Sequence, residues 1–338
     1  MHKIEDPSRY ISRRAGETRI GETLHWYSGG RFEDFLQGSH SAGCRIALIG
    51  IPESIGPVAN AGAGGAEYAW EAFLSSFCSV QENRHLKGHR VAIAGTPPVA
   101  PILEKYIKTS PDDLKAIRSL VSELDAIVLQ AVKPVFEAGM IPVIIGGGHN
   151  NAYPVIKAAA QACGQAIQVV NCDPHADCRQ MEGRHSGNGF TYAMAEGHLS
   201  RYFVAGLHQS YNSEEMLGRM DKDPATAYSF FEDEPDPVQA LKKYATDHSS
   251  HIPTGIELDM DAIVGFPASA RTPVGISMQQ AMAYLQYACS YYLPAYVHLP
   301  EAAPDPDGSD YKYYGKALTY LACTAIKGLS TNNKITSA

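Results

Sequence analysis

The chain of 338 residues predicts an α/β fold, a three-layer sandwich in which helices cover both faces of a central, mostly parallel sheet. Two observations predict it. Short apolar runs rich in β-branched residues alternate with longer segments of helical periodicity. Glycine and proline turns separate them, so each strand is followed by a crossover helix. We expect a single domain over residues 1–338, with an N-terminal extension (1–43), an α/β core (44–328) and a tail (329–338).

The predicted elements follow one another along the chain as strand, turn and helix. The predicted strands are 45–52, 91–95, 141–145, 166–170, 202–206, 227–231, 254–261 and 295–301. The predicted helices are 66–77, 110–139, 153–162, 236–246, 277–290 and 311–327. Ser110 can act as an N-cap, and Pro111 fits the first turn of the helix that follows it. Pro134 should bend or interrupt this helix, because its ring opposes the carbonyl of Gln130. The tail from Leu329 should fray.

Composition and charge exclude several classes of protein. The formal net charge of −8 is spread along the chain without a run of Lys or Arg, so we expect neither a nucleic-acid partner nor binding to an anionic membrane. No apolar segment approaches the ~18 residues that span a bilayer. The opening residues are charged and Pro7 follows them, which predicts no signal peptide. Seven cysteines without a Cys-x-x-Cys pair favour a reduced, cytoplasmic protein.

One stretch has ligand-type residues where a buried strand should end. Asp173, His175 and Asp177 follow the apolar run 166–170 at alternate positions. If this segment is still extended, alternate side chains point to one side of the sheet and meet in one small volume. Two carboxylates and an imidazole in one volume favour a divalent metal ion, although a salt-bridged strand end is the simpler interpretation of this motif alone.

Two further strand ends add residues of the same kind. Strand 141–145 runs into three glycines and His149, and strand 254–261 ends in Asp259 and Asp261. Alone, the histidine fits a turn and the acids fit a cap. In open α/β sheets, ligands bind at the carboxyl ends of the strands, so the three ends together predict a pair of divalent ions. A set of four Asp and two His suits manganese better than an ion that prefers thiolates.

The three motifs, Gly-Gly-Gly-His, Asp-x-His-x-Asp and Asp-x-Asp in this order, resemble those of the ureohydrolase superfamily, which contains arginase, agmatinase and formimidoylglutamase. The resemblance extends from about Ile46 to Lys327. It implies a single α/β domain with a central, mostly parallel, eight-stranded sheet. It also implies a hydrolase that acts on C–N bonds of linear amidines with two Mn²⁺ per chain, or with other divalent ions.

The resemblance further implies a role for each site residue. One ion is held by His149, Asp173, Asp177 and Asp259. The other is held by His175, Asp173, Asp259 and Asp261. Asp173 and Asp259 therefore bridge the pair, and two ions lower the pKa of a water held between them. Glu301, at the end of the last predicted strand, matches the catalytic acid that stabilises the cationic nitrogen of the substrate.

The subfamily is predicted from the positions at which relatives differ. Arginases and agmatinases carry an Asp where this chain has Gly148, whereas formimidoylglutamases have three glycines there and an arginine at the position of Arg179. No acid lies between Gly206 and Glu214 to hold the α-ammonium group of arginine. The histidine that arginases use as a proton shuttle is Phe190 here. We therefore predict that the substrate is N-formimidoyl-L-glutamate, hydrolysed to L-glutamate and formamide in histidine degradation.

The segment after the second motif supplies the predicted substrate contacts. Arg179, Ser186 and Asn188 offer donors to the carboxylates of the substrate. Arg179 either faces the cavity or turns outward to pair with Glu182. His185 could replace the missing shuttle as a catalytic residue, although a surface histidine is the simpler interpretation.

Two alternatives to this substrate stay open. Ala63 stands where formimidoylglutamases often carry an arginine, so a hydrolase of another guanidino compound, agmatinase-like or acting on a guanidino acid, is the second hypothesis. A metal-binding relative without catalysis is the third. A dinucleotide-binding oxidoreductase would share the fold class, but its glycine fingerprint is missing. We also expect the chain to form a homo-oligomer. The expected binding partner is a small amidine or guanidino substrate.

Overall fold

The computed structural model describes residues 2–3, 5–246 and 250–336. Within these ranges the strands are β1 (His25–Trp26), β2 (Ile46–Gly50), β3 (Val91–Gly95), β4 (Ile141–Ile145), β5 (Ile167–Cys172), β6 (Leu199–Leu207), β7 (Thr226–Phe230), β8 (Pro253–Leu258) and β9 (Leu293–Leu299). They form one nine-stranded sheet in the order β1-β3-β2-β4-β9-β8-β5-β6-β7. Every pair of neighbours in it is parallel. The predicted fold class is confirmed, and β1 is the strand beyond the predicted eight.

Helices separate the strands along the chain. They are α1 (Phe32–Ser41), α2 (Ile55–Ala59), α3 (Ala69–Phe77), α4 (Ala100–Ile107), α5 (Leu114–Glu137), α6 (Ala152–Cys163), α7 (Gly189–Ala195), α8 (Glu214–Met220), α9 (Pro237–Ala245), α10 (Met278–Tyr291), α11 (Tyr311–Ser330) and α12 (Asn333–Thr336). Among the described residues, none of the helices is both long and apolar enough to cross a membrane.

Two hydrophobic cores cover the two faces of the sheet. In β2, Ile46 and Leu48 pack into one core, while Ala47 and Ile49 pack into the other. Helices α3, α9, α10 and α11 contribute to the first core, and helices α1, α5, α6 and α8 contribute to the second. Because both faces are covered, the central strands are buried at nearly every position, as strands of parallel sheets are.

The strand order brings the three motifs together. Strands β4, β9, β8 and β5 are neighbours in the middle of the sheet, and they run parallel. The carboxyl ends of these strands therefore lie side by side at one end of the sheet, although the strands come from distant parts of the chain. The three predicted motifs follow β4, β5 and β8, and Glu301 follows β9.

The long helix α5 begins later than predicted, and Pro134 does not interrupt it. Its N-cap is Asp113, whose side chain accepts a hydrogen bond from Ala116 N at 2.9 Å, so the helix begins after residue 113 rather than at Ser110. It also continues through Pro134 without interruption. Val132 and Val135 beside the proline are fully buried, so packing on the sheet outweighs the lost hydrogen bond.

The two ends of the chain contain regular elements that were not predicted from the sequence. Residues 1–43, predicted as an N-terminal extension packed on the core, contain β1, which pairs with β3, and helix α1, which buries Phe32 and Leu36. The tail was expected to fray from Leu329, but α11 continues to Ser330 and α12 follows it; residues 337 and 338 lie outside the described ranges.

Candidate metal centre

A cavity of about 670 Å³ lies at the carboxyl ends of the four neighbouring strands. Its lining includes His175 and Asp177 from the segment after β5, Asp259 and Asp261 from the segment after β8, and Glu301 after β9. Open α/β sheets bind their ligands at this edge. The cavity is therefore the natural place for a ligand in this fold.

The first group of acids surrounds one nitrogen of His149. Nδ1 of His149 lies 3.1 Å from Asp173 Oδ2, 3.0 Å from Asp177 Oδ2 and 2.8 Å from Asp259 Oδ2. One ligand atom from each of the four residues lies within 4.8 Å of those of the others. His149 and Asp173 are fully buried. Three carboxylates around one imidazole form a set that fits a divalent cation.

A second group shares Asp173 with the first. His175 Nδ1 lies 3.5 Å from Asp173 Oδ1 and 3.5 Å from Asp261 Oδ2. The two oxygens of Asp173 therefore face different histidines, as a bridging carboxylate requires. Asp259 of the first group precedes Asp261 of the second by two residues, and its Oδ1 accepts a hydrogen bond from Asp261 N at 2.7 Å. The structure thus brings all six predicted ligands together.

The carboxylates of these two groups repel one another. Burial, and then the charge of Asp173, raises the pKa of Asp177 and raises that of Asp259 well above its usual value. Burial also raises the pKa of Asp261 to about 6. Burial alone would lower the pKa of His175, but Asp173 and nearby acids raise it to about 9. The site therefore favours added positive charge, which an oxygen- and nitrogen-binding divalent ion would supply.

The glycine turn before His149 is fixed by its surroundings. Gly146 and Gly147 have left-handed φ values of 78° and 73°. At Gly148 an added Cβ would lie 2.2 Å from Cδ of Pro57, so the chain accepts no larger residue there. Glu53, which sequence reasoning missed, accepts a hydrogen bond from Gly148 N at 2.9 Å and is fully buried. The turn that carries His149 is therefore held from two sides.

The second motif reaches the cavity by a different path from the one predicted. We expected an extended segment with alternating side chains, but β5 ends at Cys172 and Asp177 has a left-handed φ of 48°. Asp173 Oδ1 accepts a hydrogen bond from His175 N at 2.7 Å, which tightens the bend. The extended conformation was therefore wrong, although the three side chains do converge. A motif spaced by two residues does not distinguish a strand from such a loop.

Glu301 lies at the cavity in a constrained conformation. Its φ is 67°, in the left-handed region, and its Oε1 accepts a hydrogen bond from His149 N at 2.6 Å. Burial, and then the charge of Asp261, raises the pKa of Glu301 to about 8. The carboxyl group is thus aimed and desolvated beside the acids, where a cationic ligand would favour its charged form.

Two of the three predicted substrate residues reach the cavity, and the third does not. Arg179 and Ser186 line the cavity. Arg179 is also paired, since its Nη2 lies 2.8 Å from Glu182 Oε1 and its side chain is 53% exposed. Asn188 does not reach the cavity: it is fully buried, and its Oδ1 accepts a hydrogen bond from Arg184 Nη1 at 2.6 Å. Asn188 therefore secures the loop rather than facing a ligand.

The structure does not bring His185, the proposed shuttle, into the cavity. The side chain is fully buried. Its Nδ1 accepts a hydrogen bond from Gly187 N at 3.1 Å, and its Nε2 lies 3.2 Å from Glu182 Oε1. Burial and the charges of Arg118 and Arg179 lower its pKa to about 4, so the ring is neutral near pH 7. His185 supports the cavity wall from behind.

Sequence reasoning also missed two residues beside the candidate ligands. Arg219, on helix α8, lines the cavity and donates a hydrogen bond from Nη2 to Cys178 O at 2.8 Å. A single arginine on an exposed helix gives no sequence signal. Glu257 lies in β8 behind His149. The sequence did carry a signal for Glu257. It is an acid inside an apolar strand, and it precedes Asp259 by two residues, as Asp259 precedes Asp261.

Comparisons with known proteins agree with this geometry. The family model that matches the chain is that of the arginase family, over residues 44–326. Formimidoylglutamase of Geobacillus kaustophilus is 26% identical over 252 residues, which are 69% of this chain and 76% of the relative. Formimidoylglutamase of Geobacillus thermodenitrificans is 24% identical over 306 residues, covering 84% of this chain and 88% of the relative.

Solved structures share the fold. Formimidoylglutamase from Bacillus subtilis superimposes with a TM-score of 0.71 at 18% identity, over 96% of this chain and 95% of that one. Formiminoglutamase from Trypanosoma cruzi, solved with Mn²⁺, gives a TM-score of 0.66 at 21% identity, over 94% and 99%. Proclavaminate amidino hydrolase from Streptomyces clavuligerus gives 0.69 at 15% identity, over 96% and 99%. The chain belongs to the arginase family and is a hydrolase that acts on C–N bonds.

Proposed function

We propose that this member of the arginase family is a dimanganese hydrolase that cleaves N-formimidoyl-L-glutamate with water to L-glutamate and formamide. The observation that carries the proposal is the set of His149, Asp173, Asp177 and Asp259, whose ligand atoms lie within 4.8 Å of one another and two of whose members, Asp177 and Asp259, line the cavity. Relatives named formimidoylglutamase support the choice of substrate.

Six side chains would hold the two ions. His149 and Asp177 would bind one ion, and His175 and Asp261 would bind the other. Asp173 would bridge them, because its two oxygens face the two histidines. Asp259 would bridge them as well. When bound, the ions supply a water of lowered pKa, which is a nucleophile at neutral pH.

Glu301 would bind the cationic formimidoyl end of the substrate. Its backbone is fixed at a φ of 67° and its Oε1 is held by His149 N. A cation stabilises the charged form of a carboxylate this deeply buried, because it offsets the cost of desolvating the charge. The same contact would bring the planar carbon of the substrate next to the ion site. Glu301 would therefore orient the reacting group.

Arg179 would bind a carboxylate at the other end of the substrate. A guanidinium group matches a carboxylate with two parallel hydrogen bonds. Arg219 lines the same cavity and offers a second guanidinium, and the glutamate part of the substrate has two carboxylates. Each arginine now lies beside a glutamate, since Arg179 pairs with Glu182 and Arg219 Nη1 lies 3.8 Å from Glu215. The substrate would have to compete with these partners.

This competition favours a second candidate, the hydrolysis of a guanidino compound. Glu182 and Glu215 line the cavity together with the arginines, so a cationic substrate would also find partners there. The two candidates differ in the charge that the wall must recognise: a dicarboxylate uses the arginines, and a cationic guanidine uses the glutamates.

A panel of substrates distinguishes the candidates. Manganese-reconstituted protein should be assayed with formimidoylglutamate, arginine, agmatine and guanidinobutyrate, with formamide or urea measured as the product. We expect formimidoylglutamate to give the highest kcat/KM. Glu301→Gln is the matched control, because it keeps the shape of the side chain and removes its charge. Faster turnover of agmatine or guanidinobutyrate would replace the first candidate by the second.

A further inference from the structure

His149 has a carboxylate on both sides of its ring. Its Nδ1 faces the acids of the candidate metal centre, and its Nε2 lies 3.5 Å from Oε2 of Glu257. Glu257 is fully buried in β8 and does not line the cavity. A neutral imidazole that binds an ion through Nδ1 carries its proton on Nε2 and can donate it. Glu257 Oε2 is the carboxylate oxygen that lies beside this nitrogen.

Two residues of the neighbouring strand β9 hold Glu257 in place. The hydroxyl of Tyr296 donates a hydrogen bond to Glu257 Oε1 at 2.7 Å, and His298 Nδ1 lies 2.8 Å from Glu257 Oε2. Both are fully buried, and His298 is the register partner of Glu257 in the sheet. The Tyr296 hydrogen bond fixes Oε1, and Oε2 lies close to the rings of both His298 and His149, so the carboxylate is enclosed on both sides.

A glycine in β8 makes room for this arrangement. An added Cβ at Gly255 would lie 2.4 Å from Cζ and 2.5 Å from the hydroxyl of Tyr296. Glycine normally weakens a strand interior, but it permits a close approach of another group. Here it allows the Tyr296 ring to lie against the strand and reach Glu257. Four residues of two strands thus support one nitrogen of His149.

We propose that Glu257 is a positioning residue that fixes the ring orientation and the tautomer of His149 for the ion bound through Nδ1, with Tyr296 and His298 as its supports. Histidines that bind metals usually donate their other N–H to such a partner, and removal of the partner typically weakens metal binding ~10–100-fold. The inference rests on the proposed dinuclear centre. It predicts an effect on one of the two ions, because His149 would bind only the ion of its own group. Its Nδ1 lies 2.8–3.1 Å from carboxylate oxygens of that group.

The test is Mn²⁺ binding to the metal-free chain, measured by titration calorimetry without substrate. Glu257→Gln should weaken one of the two ions ~10–100-fold and leave the other unchanged. His149→Ala should weaken the same ion. In the His149→Ala background, Glu257→Gln should have no additional effect on that ion, because two residues that act through one contact are not additive. A general loss of folding would instead affect both ions.

Control variants keep the result interpretable. Glu5→Gln removes another buried carboxylate, which lies away from the cavity and accepts a 3.1 Å hydrogen bond from Trp70 Nε1. This variant should leave the binding of both ions unchanged. Tyr296→Phe removes a support of Glu257 without touching its charge, and it should weaken the same ion by a smaller factor. This variant carries the test if Glu257→Gln does not fold.

Three results would overturn the inference. Unchanged binding in Glu257→Gln or, if that variant is unfolded, in Tyr296→Phe would show that Glu257 does not position His149. Equal weakening of both ions would indicate a structural role. Loss of a third ion in Glu257→Gln would show that His149, Glu257 and His298 hold a cation themselves. A native chain that binds no manganese would instead contradict the proposed function, and the inference with it.

Discussion

The floor and the wall of the cavity balance their charges in different ways. The floor consists of His149, Asp173, His175, Asp177, Asp259 and Asp261, of which all but the fully buried His149 and Asp173 line the cavity. The wall consists of Arg179, Glu182, Glu215 and Arg219. In the floor, four carboxylates share two imidazoles, and the pKa of three of the acids is raised. In the wall, each arginine lies beside a glutamate, and the arginine side chains are 53% and 42% exposed.

This difference shows which part of the function the chain specifies strongly. Carboxylates in a buried site repel one another with little screening, so the floor favours added positive charge. Exposed ion pairs are worth little, typically ~0–1 kcal/mol, so the wall can exchange partners at low cost. We therefore expect large effects from changes in the floor and modest, substrate-dependent effects from changes in the wall.

The largest effect is expected from loss of a bridging acid. Asp173→Ala or Asp259→Ala should remove both ions and abolish hydrolysis, because each residue would contact both ions. Elemental analysis after manganese reconstitution and desalting checks this. Metal retention equal to that of His149→Ala would contradict the bridging roles.

His149→Ala should have a smaller effect on metal content. The residue would bind one ion only, so the variant should keep the ion of His175 and Asp261 while the other is weakened. A Mn²⁺ titration should show one tight and one weak site. Complete loss of metal would mean that His149 matters for both ions.

Glu301→Gln should lower kcat/KM without changing metal content. A hydrogen bond to a charged group is worth ~1.5–3 kcal/mol, which corresponds to roughly a ten- to hundredfold loss. Steady-state kinetics and metal analysis of the same preparation check the two parts separately. If the variant lost metal together with activity, Glu301 would belong to the floor rather than to substrate binding.

Arg179→Ala should raise KM for formimidoylglutamate about tenfold, the lower end of the range for a charged hydrogen bond, because Arg179 is half exposed and must leave Glu182. A guanidine without a carboxylate should be affected much less. Arg9→Ala is the matched control, since Arg9 is also half exposed and lies 3.2 Å from Glu71, and it should change neither KM. Equal losses on both substrate types would show that Arg179 does not select the substrate.

The smallest effect concerns acid stability behind the wall. The pKa of His185 is lowered from 6.5 to about 4 by burial and by Arg118 and Arg179, so the folded chain binds this proton less readily than the unfolded chain. Its contribution to stability is therefore complete above pH 6.5 and is lost as the pH falls towards 4.

His185→Gln should make the melting temperature of the metal-free chain less dependent on pH between 7 and 5. His2→Gln is a matched comparison, because burial lowers the pKa of His2 to about 4 as well, at a position packed on Phe32. An unchanged pH dependence in His185→Gln would mean that folding does not lower the pKa of this ring.

The sequence predicted the strands and the ligand types of the floor because both depend on local patterns. Apolar runs marked β4, β5 and β8, and the acids and histidines at their ends marked the ligands. The order of the strands was not predictable in the same way, since β9 lies between β4 and β8 through pairing of distant segments. The left-handed bend at Asp177 was missed because a period of two also fits a strand.

The wall was less predictable, because its contacts are long-range or compete with one another. The sequence left two orientations open for Arg179, one facing the cavity and one paired with Glu182. In the structure it lines the cavity and also pairs with Glu182. Arg219 gave no signal. Gly148 separated the subfamilies in sequence, but its physical reason, contact with the Pro57 ring, required the structure.

The central claim is that the floor holds two ions and that both serve hydrolysis. The most direct measurement is a titration of the metal-free native chain with Mn²⁺ in which bound metal and formimidoylglutamate hydrolysis are followed in the same samples. We predict that binding saturates at two ions per chain and that activity reaches its maximum only at that occupancy. Saturation at one ion, or full occupancy of two ions without hydrolysis of formimidoylglutamate or any guanidino substrate, would contradict it.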